Sequence, residues 1–481
     1  MSNLNNIMLI YPPSKLFQRG EDRCQINIEN SVSQSMRACN DLGYAAAVLL
    51  NNNYTVKLKD YQTEGCSYED LESDIINFNP SLILISTTNT TIFEDLELAK
   101  KIKSKYELFI VFKGAIFYSP QKEMLELLDL NPVDLIIGGE IDFIIDKVAN
   151  FLLRNEGNVS SINNILYKNK IGDFISTSFD IWDFDLDSRP FPARQLMNNS
   201  LYTRPDTKEP MATIQTSRGC PASCIYCLSP TISGKQIRSR SPENVFEELV
   251  ECYEKYGIKN FFFRADTFTI NPDWVIKLCN LIINSNLYNK IQFTANSRVK
   301  PLTKEVLKLM KKAGCFAIAF GFESGSDETM SRIKKGANVE DNIRAAKLAK
   351  SVGLCIFGMF VIGFPWETTE HISQTKKMIF KLNPDFIEVT LALPFYGTEL
   401  YEICKSNGLI EESIYGSDFF HTSFAKTATL STEELLKLRK QILLQFYTRP
   451  SYILKKIVSK ISKPSVILEY IRFGLRLLKI L

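Results

Sequence analysis

Three cysteines stand out by their spacing. In the segment RGCPASCIYCLSP they fall at Cys220, Cys224 and Cys227, directly after a predicted strand. Three thiolates on one loop can each take one iron of a [4Fe–4S] cube. No fourth Cys or His lies nearby in the chain to close the site, which leaves the fourth iron open. An open iron can bind the amino and carboxylate groups of S-adenosylmethionine (SAM) and pass an electron into its sulfonium. Homolysis then gives a 5′-deoxyadenosyl radical that abstracts a hydrogen atom. In such a site the cofactors carry the chemistry, and the protein orients them and excludes water. Structural zinc, the other common use of clustered thiolates, takes four ligands in two separated pairs, a pattern this loop lacks.

The remaining chemistry-bearing residues narrow the reading. Cys24, Cys39, Cys66, Cys252, Cys279, Cys315, Cys355 and Cys404 are isolated in sequence. Those of the second half, such as Cys315 and Cys355, are expected in apolar strands as core thiols. His371 and His421 are the only histidines, so a metal site in the first 370 residues must do without imidazole. The chain has 481 residues, 45% hydrophobic and 23% charged, enough for two or three domains. A net charge of +3 argues against a general nucleic-acid binder. The start, MSNLNNIMLIYPPS, lacks a basic n-region and a long apolar run. No clean apolar window of membrane-spanning length occurs. Eleven cysteines without a secretory signal suggest a reducing, cytoplasmic setting.

The elements that must position the cysteine loop read as two alternating regions. In residues 1–150, strands are expected at Ile7–Tyr11, Val56–Lys59, Pro80–Ser86, Leu108–Phe112 and Asp134–Glu140. Helices are expected at Ser31–Leu42, over IFEDLELAKKIKSKY and near Gln121–Leu128. Continuous apolar strands separated by amphipathic helices imply a parallel sheet covered on both faces, here a flavodoxin-like domain. Ligands of such sheets lie at the carboxyl ends of the strands, which carry Ser86, Thr87, Thr88, Gly114, Gly138 and Gly139, small residues that would let a large ligand approach the backbone. The threonine run Thr87, Thr88, Thr90, Thr91 suits either ligand amides or a helix N-cap region. Residues 151–195 read as a connector with a small hairpin at YKNKIGDFIST. Residues 196–425 contain six strand candidates, IQTSRG, FFFRAD, IQFTAN, AIAFGFES, FGMFVIGFP and FIEVTLALP, which predict a partial (β/α)6 TIM-type barrel with chemistry at its C-terminal rim. The expected class is thus α/β, with a C-terminal helical region over 426–481.

The order of these segments behind the cysteine run resembles the radical SAM superfamily. An aromatic residue, Tyr226, precedes the last cysteine. FFFRADTFTINPDW, FTANSRV, MKKAGCFAIAFGFESGSDETM and GMFVIGFPWET follow as that family's barrel strands do. The resemblance implies that Tyr226 lies near the adenine of SAM and that Glu323 and Ser324 lie near its ribose and methionine parts. It further implies that Phe360 to Gly363 offer backbone contacts to the adenine, and that Asn296 and Arg298 lie on the inner wall. A flavodoxin-like domain before the barrel resembles the cobalamin-binding class of the superfamily. That class includes anaerobic magnesium-protoporphyrin ester cyclases, hopanoid-associated enzymes and class B C-methyltransferases. The Asp-x-His-x-x-Gly cobalamin motif is absent, so a bound cobalt would take no imidazole from this domain. GGE at Gly138–Glu140, with Lys113 before Gly114, is a second departure.

Three functions follow as expectations. The leading one is cobalamin-dependent radical methylation of an unactivated carbon, with methylcobalamin delivering the methyl group to a substrate radical. The second is cyclisation, oxidation or rearrangement of a lipid-like, tetrapyrrole or natural-product substrate. The third is a cobalamin or Fe–S sensor, which would not need an open iron. Methylthiotransferases need extra cluster cysteines in the first domain, where Cys24, Cys39 and Cys66 are dispersed. The reaction implies a reductant such as flavodoxin or ferredoxin. In the tail, Arg449, Lys455, Lys456, Lys460, Lys463, Arg472, Arg476 and Lys479 face one acid, Glu469, a charge of +7 over residues 449–481. Ile467, Ile471, Leu475 and Leu478 share one helical face, so this basic amphipathic helix suits either an anionic membrane surface on the cytoplasmic side or packing on the barrel.

Overall fold

The computed structural model describes residues 5–19, 36–118, 120, 122–179, 181–413, 415–416 and 422–458. The chain is α/β. Strands β1 (Asn6–Tyr11), β2 (Thr55–Asp60), β3 (Leu82–Ser86), β4 (Phe109–Lys113) and β5 (Leu135–Ile137) pair in parallel in the order β2-β1-β3-β4-β5. Their apolar runs are continuous because both faces are covered. Leu9, Leu84, Val111 and Ile137 pack under helices Asn40–Asn51 and Ile145–Arg154. Ile10, Ile83, Ile110 and Phe112 pack under Tyr68–Phe78 and Ile92–Lys103. The hairpin expected in the connector forms as β6 (Ile165–Lys168) and β7 (Phe174–Ser176). It extends this sheet antiparallel beyond β5, so the sheet continues past residue 150.

One helix is displaced from its expected place. Residues 36–39 are not helical and the helix holding Leu42 begins at Asn40, while the start expected at Ser31 lies outside the described residues. This helix is buried all round, every residue from Asp41 to Leu49, so no polar face marks its period. Small alanines let it lie close to the sheet but give only a weak sequence periodicity.

The second sheet is wholly parallel: β8 (Met211–Gln215), β11 (Asn260–Arg264), β12 (Gln292–Ser297), β13 (Cys315–Glu323), β14 (Cys355–Ile362) and β15 (Phe386–Leu391), side by side in that order. Between β8 and β11, the short antiparallel ribbon of β9 (Ser217–Arg218) and β10 (Arg238–Ser239) closes the base of the cysteine loop. Helices on the outer face start at side-chain caps, as at Ser241, Asn271, Thr303 and Asn338. Strand β14 alternates cleanly: Ile356, Phe360 and Ile362 enter the core under the helices, while Phe357, Met359 and Val361 are half-buried on the inner wall. Cys315 is buried as expected, but Cys355 opens β14 on its exposed side. Cys252, Cys279 and Cys404 are buried on helices rather than strands.

The free edge of β15 is covered by helix Thr432–Tyr447. The Tyr447 hydroxyl donates to Ile387 O at 2.7 Å and accepts from Ile387 N at 2.9 Å, and Arg439 Nε donates to Val389 O at 2.7 Å. Helix Pro450–Val458 follows, the last among the described residues. The amphipathic face expected at Ile467–Leu478 lies outside the described residues. Among those described, no helix is long and apolar enough to cross a membrane.

Candidate functional site

The cysteine loop sits at the carboxyl end of the barrel strands and is held from several sides. At its base Gly219 adopts φ +91°, and a Cβ there would collide with Gln236 O. Cys220 N donates to Gly234 O at 3.1 Å. Midway, Ile225 N donates to Ile333 O at 3.2 Å, and Leu400 N donates to Ile225 O at 2.9 Å. The loop is thereby tied to segments following β13 and β15. Cys220 and Cys224 are nearly buried and Cys227 is half-buried. The Cys227 sulfur receives Ser229 N at 3.4 Å and lies 3.2 Å from Ser229 Oγ. Arg298 Nη1 points at Cys224 Sγ from 3.7 Å. Burial, then the charges of Asp266 and Cys227, push the Cys220 thiol above its ordinary value, with Arg298 opposing.

The donor set suits a cluster. Three soft sulfurs come from one loop, with a guanidinium beside them to offset thiolate charge. Among the described residues no three His, Cys, Asp or Glu side chains are gathered tightly enough to hold a single ion, whereas a cube spreads its thiolates over different irons. Beside Asp266, the buried Thr267 Oγ1 has no hydrogen-bond partner, a polar atom left for a ligand at this mouth.

The other expected barrel residues divide into two groups. Tyr226 lies against Phe364, ring centroids 5.6 Å apart, and burial plus the Glu323 carboxylate push its hydroxyl well above its ordinary value. Glu323 ends β13 at φ +59°, a strained backbone for a non-glycine, and pairs with Lys335 Nζ at 2.5 Å. Gly363 turns at φ +90° after β14. Asn296 is half-buried on β12, and Arg298 follows that strand with Nη2 on Lys335 O. Of these, Tyr226, Glu323 and Arg298 meet at the loop. Ser324 and Phe360 are different. Ser324 is fully buried, its hydroxyl 3.0 Å from Thr375 Oγ1. The Phe360 ring stacks on Phe322 in the outer core, leaving only its backbone toward the mouth.

Two residues that sequence reasoning missed hold this mouth. Glu367 accepts from Gly363 N at 2.7 Å and Phe364 N at 3.2 Å, fixing the turn after β14; burial pushes its carboxyl up to about 7. Lys335 holds Glu323. The signal for Glu367 was its place four residues after Gly363.

At the strand ends of the first sheet the small and hydroxyl residues are used by the protein itself. Thr87 and Thr91 hydroxyls donate to Asp95 Oδ2 at 2.6 and 2.7 Å, and Thr88 Oγ1 accepts from Thr91 N at 3.1 Å. The run precedes helix Ile92–Lys103, whose N-cap residue Thr91 makes no side-chain cap bond; its hydroxyl turns to Asp95 instead. A Cβ on Gly114 would sit 2.5 Å from Thr87 O, one on Gly138 would collide with Phe117 O, and one on Gly139 would sit 2.6 Å from Asn164 Cβ. A side chain at any of the three would meet a neighbouring loop, so their lack of one serves close packing here. Ser86 Oγ is the exception: it is buried with no hydrogen-bond partner. A small cavity joins the two halves, between Arg19, Arg37 and Asn40 on one side and Thr213, Gln215 and Arg264 of the barrel wall on the other.

Comparison with known proteins fits this geometry. Residues 214–379 match the Radical SAM superfamily. An uncharacterized methyltransferase of Pyrococcus horikoshii is 31% identical over 86% of this chain and 89% of its own. A relative from Methanocaldococcus jannaschii that carries the name methylthiotransferase is 30% identical over 72% of this chain and 73% of its own. Among solved structures, the cobalamin-dependent SAM radical enzyme OxsB, with aqua-cobalamin and SAM bound, superposes with a TM-score of 0.72 at 17% identity, covering 97% of this chain and 72% of that one. The radical SAM methyltransferase TsrM of Kitasatospora setae, with cobalamin and a [4Fe–4S] cluster bound, gives 0.66 at 16% identity over 84% and 75%. The shared fold spans both sheets, and with the cysteine loop in place the chain belongs to the radical SAM superfamily.

Proposed function

We propose that this chain is a cobalamin-dependent radical SAM methyltransferase acting on an unactivated carbon of a small-molecule or lipid-like substrate. The observation that carries the reading is the joining of the cysteine loop, Tyr226, Glu323 and Gly363 at one barrel mouth that faces the ends of a flavodoxin-like sheet. Cys220, Cys224 and Cys227 would hold a [4Fe–4S] cluster, which with SAM supplies a hydrogen-abstracting radical. Tyr226 would flank the adenine, Glu323 the ribose, and the Gly363 turn held by Glu367 would present its backbone. Cobalamin, which supplies methyl-group carriage, would lie over the ends of β3, β4 and β5, where Ser86 Oγ awaits a partner.

The name methylthiotransferase suits this chain less well. Cys39 is fully buried, its sulfur 3.2 Å from the Tyr202 hydroxyl, and Cys66 follows a helical turn after β2; Cys24 lies outside the described residues. A flavodoxin or ferredoxin would deliver the electron, and the basic tail would bring the mouth to an anionic membrane surface.

The test is anaerobic reconstitution with iron and sulfide, followed by SAM and reductant, with and without hydroxocobalamin, using Cys224→Ala as control. The expected result is 5′-deoxyadenosine that vanishes in the variant and one corrin retained per chain. Failure to form any cluster overturns the reading, and a cluster without retained corrin removes its methyl-transfer half.

A further inference from the structure

The turn after β5 carries two carboxylates, Glu140 and Asp142, 4% and 1% exposed. Both reach out of the first domain to the ribbon that closes the cysteine loop. Arg218 and Arg238 face each other across that ribbon and are themselves buried. Arg238 binds Glu140 with both terminal nitrogens, at 2.8 and 2.6 Å. Arg218 binds Asp142 in the same forked manner at 3.0 and 3.1 Å, and lies 3.1 Å from Glu140 as well. Arg238 also donates to Ser233 O at 2.9 Å inside the loop, and to Asp183 O at 2.7 Å. Arg218 is separated from Cys220 by Gly219 alone.

Two guanidiniums placed side by side in a buried ribbon repel each other unless two carboxylates answer them. Here the answering carboxylates come from a different domain, 76 and 98 residues away in sequence. Forked Arg–carboxylate pairs fix orientation as well as charge. The ribbon therefore takes its position from the first sheet rather than from the barrel alone.

We propose that Glu140 and Asp142 are positioning residues for the cysteine loop, a four-charge clamp by which the flavodoxin-like domain sets the geometry of the cluster site. This rests on the reading that Cys220, Cys224 and Cys227 hold a cluster. The clamp touches no cofactor; it acts through Arg218, Gly219 and the base of the loop.

The experiment compares wild type, Glu140→Gln and the double variant Glu140→Gln/Arg238→Gln as full chains, reconstituted anaerobically. Three readouts are taken: iron loss to a chelator, the electron paramagnetic resonance signal of the reduced cluster before and after SAM, and thermal stability. Removing an outer partner of a metal site costs about 10–100-fold in metal affinity, so Glu140→Gln should lose iron at least about tenfold faster and show an altered SAM-dependent signal. The double variant removes one charge from each side. Under the proposal it regains thermal stability but not iron retention or the native signal. Recovery of all three readouts in the double variant would reduce Glu140 to a charge-balancing role and overturn the proposal. Unchanged iron loss and signal in a folded Glu140→Gln chain would overturn it too. A wild type that takes up no cluster instead sinks the underlying reading, so the two failures are distinct. If Glu140→Gln does not fold, the double variant alone decides by the same criterion.

Discussion

The two sheets end in contrasting ways. At the carboxyl end of the first, nearly every polar group is already committed. Arg19 Nη1 bonds Asp95 at 2.8 Å, Lys113 Nζ bonds Asp41 at 2.6 Å, and the Tyr11 hydroxyl takes the other oxygen of Asp41 at 2.6 Å, all buried. At the carboxyl end of the second, three thiols, a buried hydroxyl and a strained glutamate meet at one mouth. One rim is prepacked; the other is a donor set. The difference teaches that a fold can place a prepacked platform opposite a reactive mouth, with the soft metal-ligating donors gathered on the second and few polar atoms, such as Ser86 Oγ, left over on the first.

The sharpest way to break this comparison is to unpair the platform. Lys113→Met leaves Asp41 buried with only the Tyr11 hydroxyl, and should cost about 3–5 kcal/mol in chemical denaturation. Lys113→Met/Asp41→Leu should recover most of that, and if it does not, the pair is holding more than charge. Next, Gly114→Ala pushes a methyl against Thr87 O and should cost about 1–3 kcal/mol without any ligand. A stable Gly114→Ala chain would return that glycine to the role of ligand clearance.

A smaller effect is read from pH. Burial pushes the Asp60 carboxyl up from its usual 3.8 to about 6. Between those values the native chain keeps a proton that the unfolded chain has released. Native stability therefore falls as pH rises through this window, at up to about 1.4 kcal/mol per pH unit, and levels off above it. Asp60→Asn has no such slope, so thermal melts of the two chains should diverge from about pH 4 to 6 in favour of the variant, around a constant offset for the altered bonds to Thr63 and Tyr202. Parallel profiles would refute the shift. Smallest of all, Cys355→Ser should leave stability within about 0.5 kcal/mol, as surface substitutions do, while removing a thiol that alkylates well before buried Cys315.

What sequence showed and what it hid have physical causes. The cysteine run was legible because its chemistry is local, and the eleven parallel strands of the two sheets were legible because they are apolar and bounded by turns. The start of helix Asn40–Asn51 was not, since a helix buried on every side from Asp41 to Leu49 shows no polar–apolar period. Gly114, Gly138 and Gly139 were found, but not the loops they pack against: a sequence shows that a side chain is missing, not what fills its space. The partners of Glu140 and Asp142 were hidden for a different reason, because an ion pair spanning two domains leaves no spacing to detect.

The edge of β15 has a last consequence. A parallel sheet that stops at six strands without closing leaves a row of backbone groups that could template another chain. Tyr447 and Arg439 occupy those groups with side chains, so the C-terminal helix acts as a guard against self-association. A chain shortened before Ser431 would lose this guard together with Leu435 and Phe446 of the barrel core, and should precipitate.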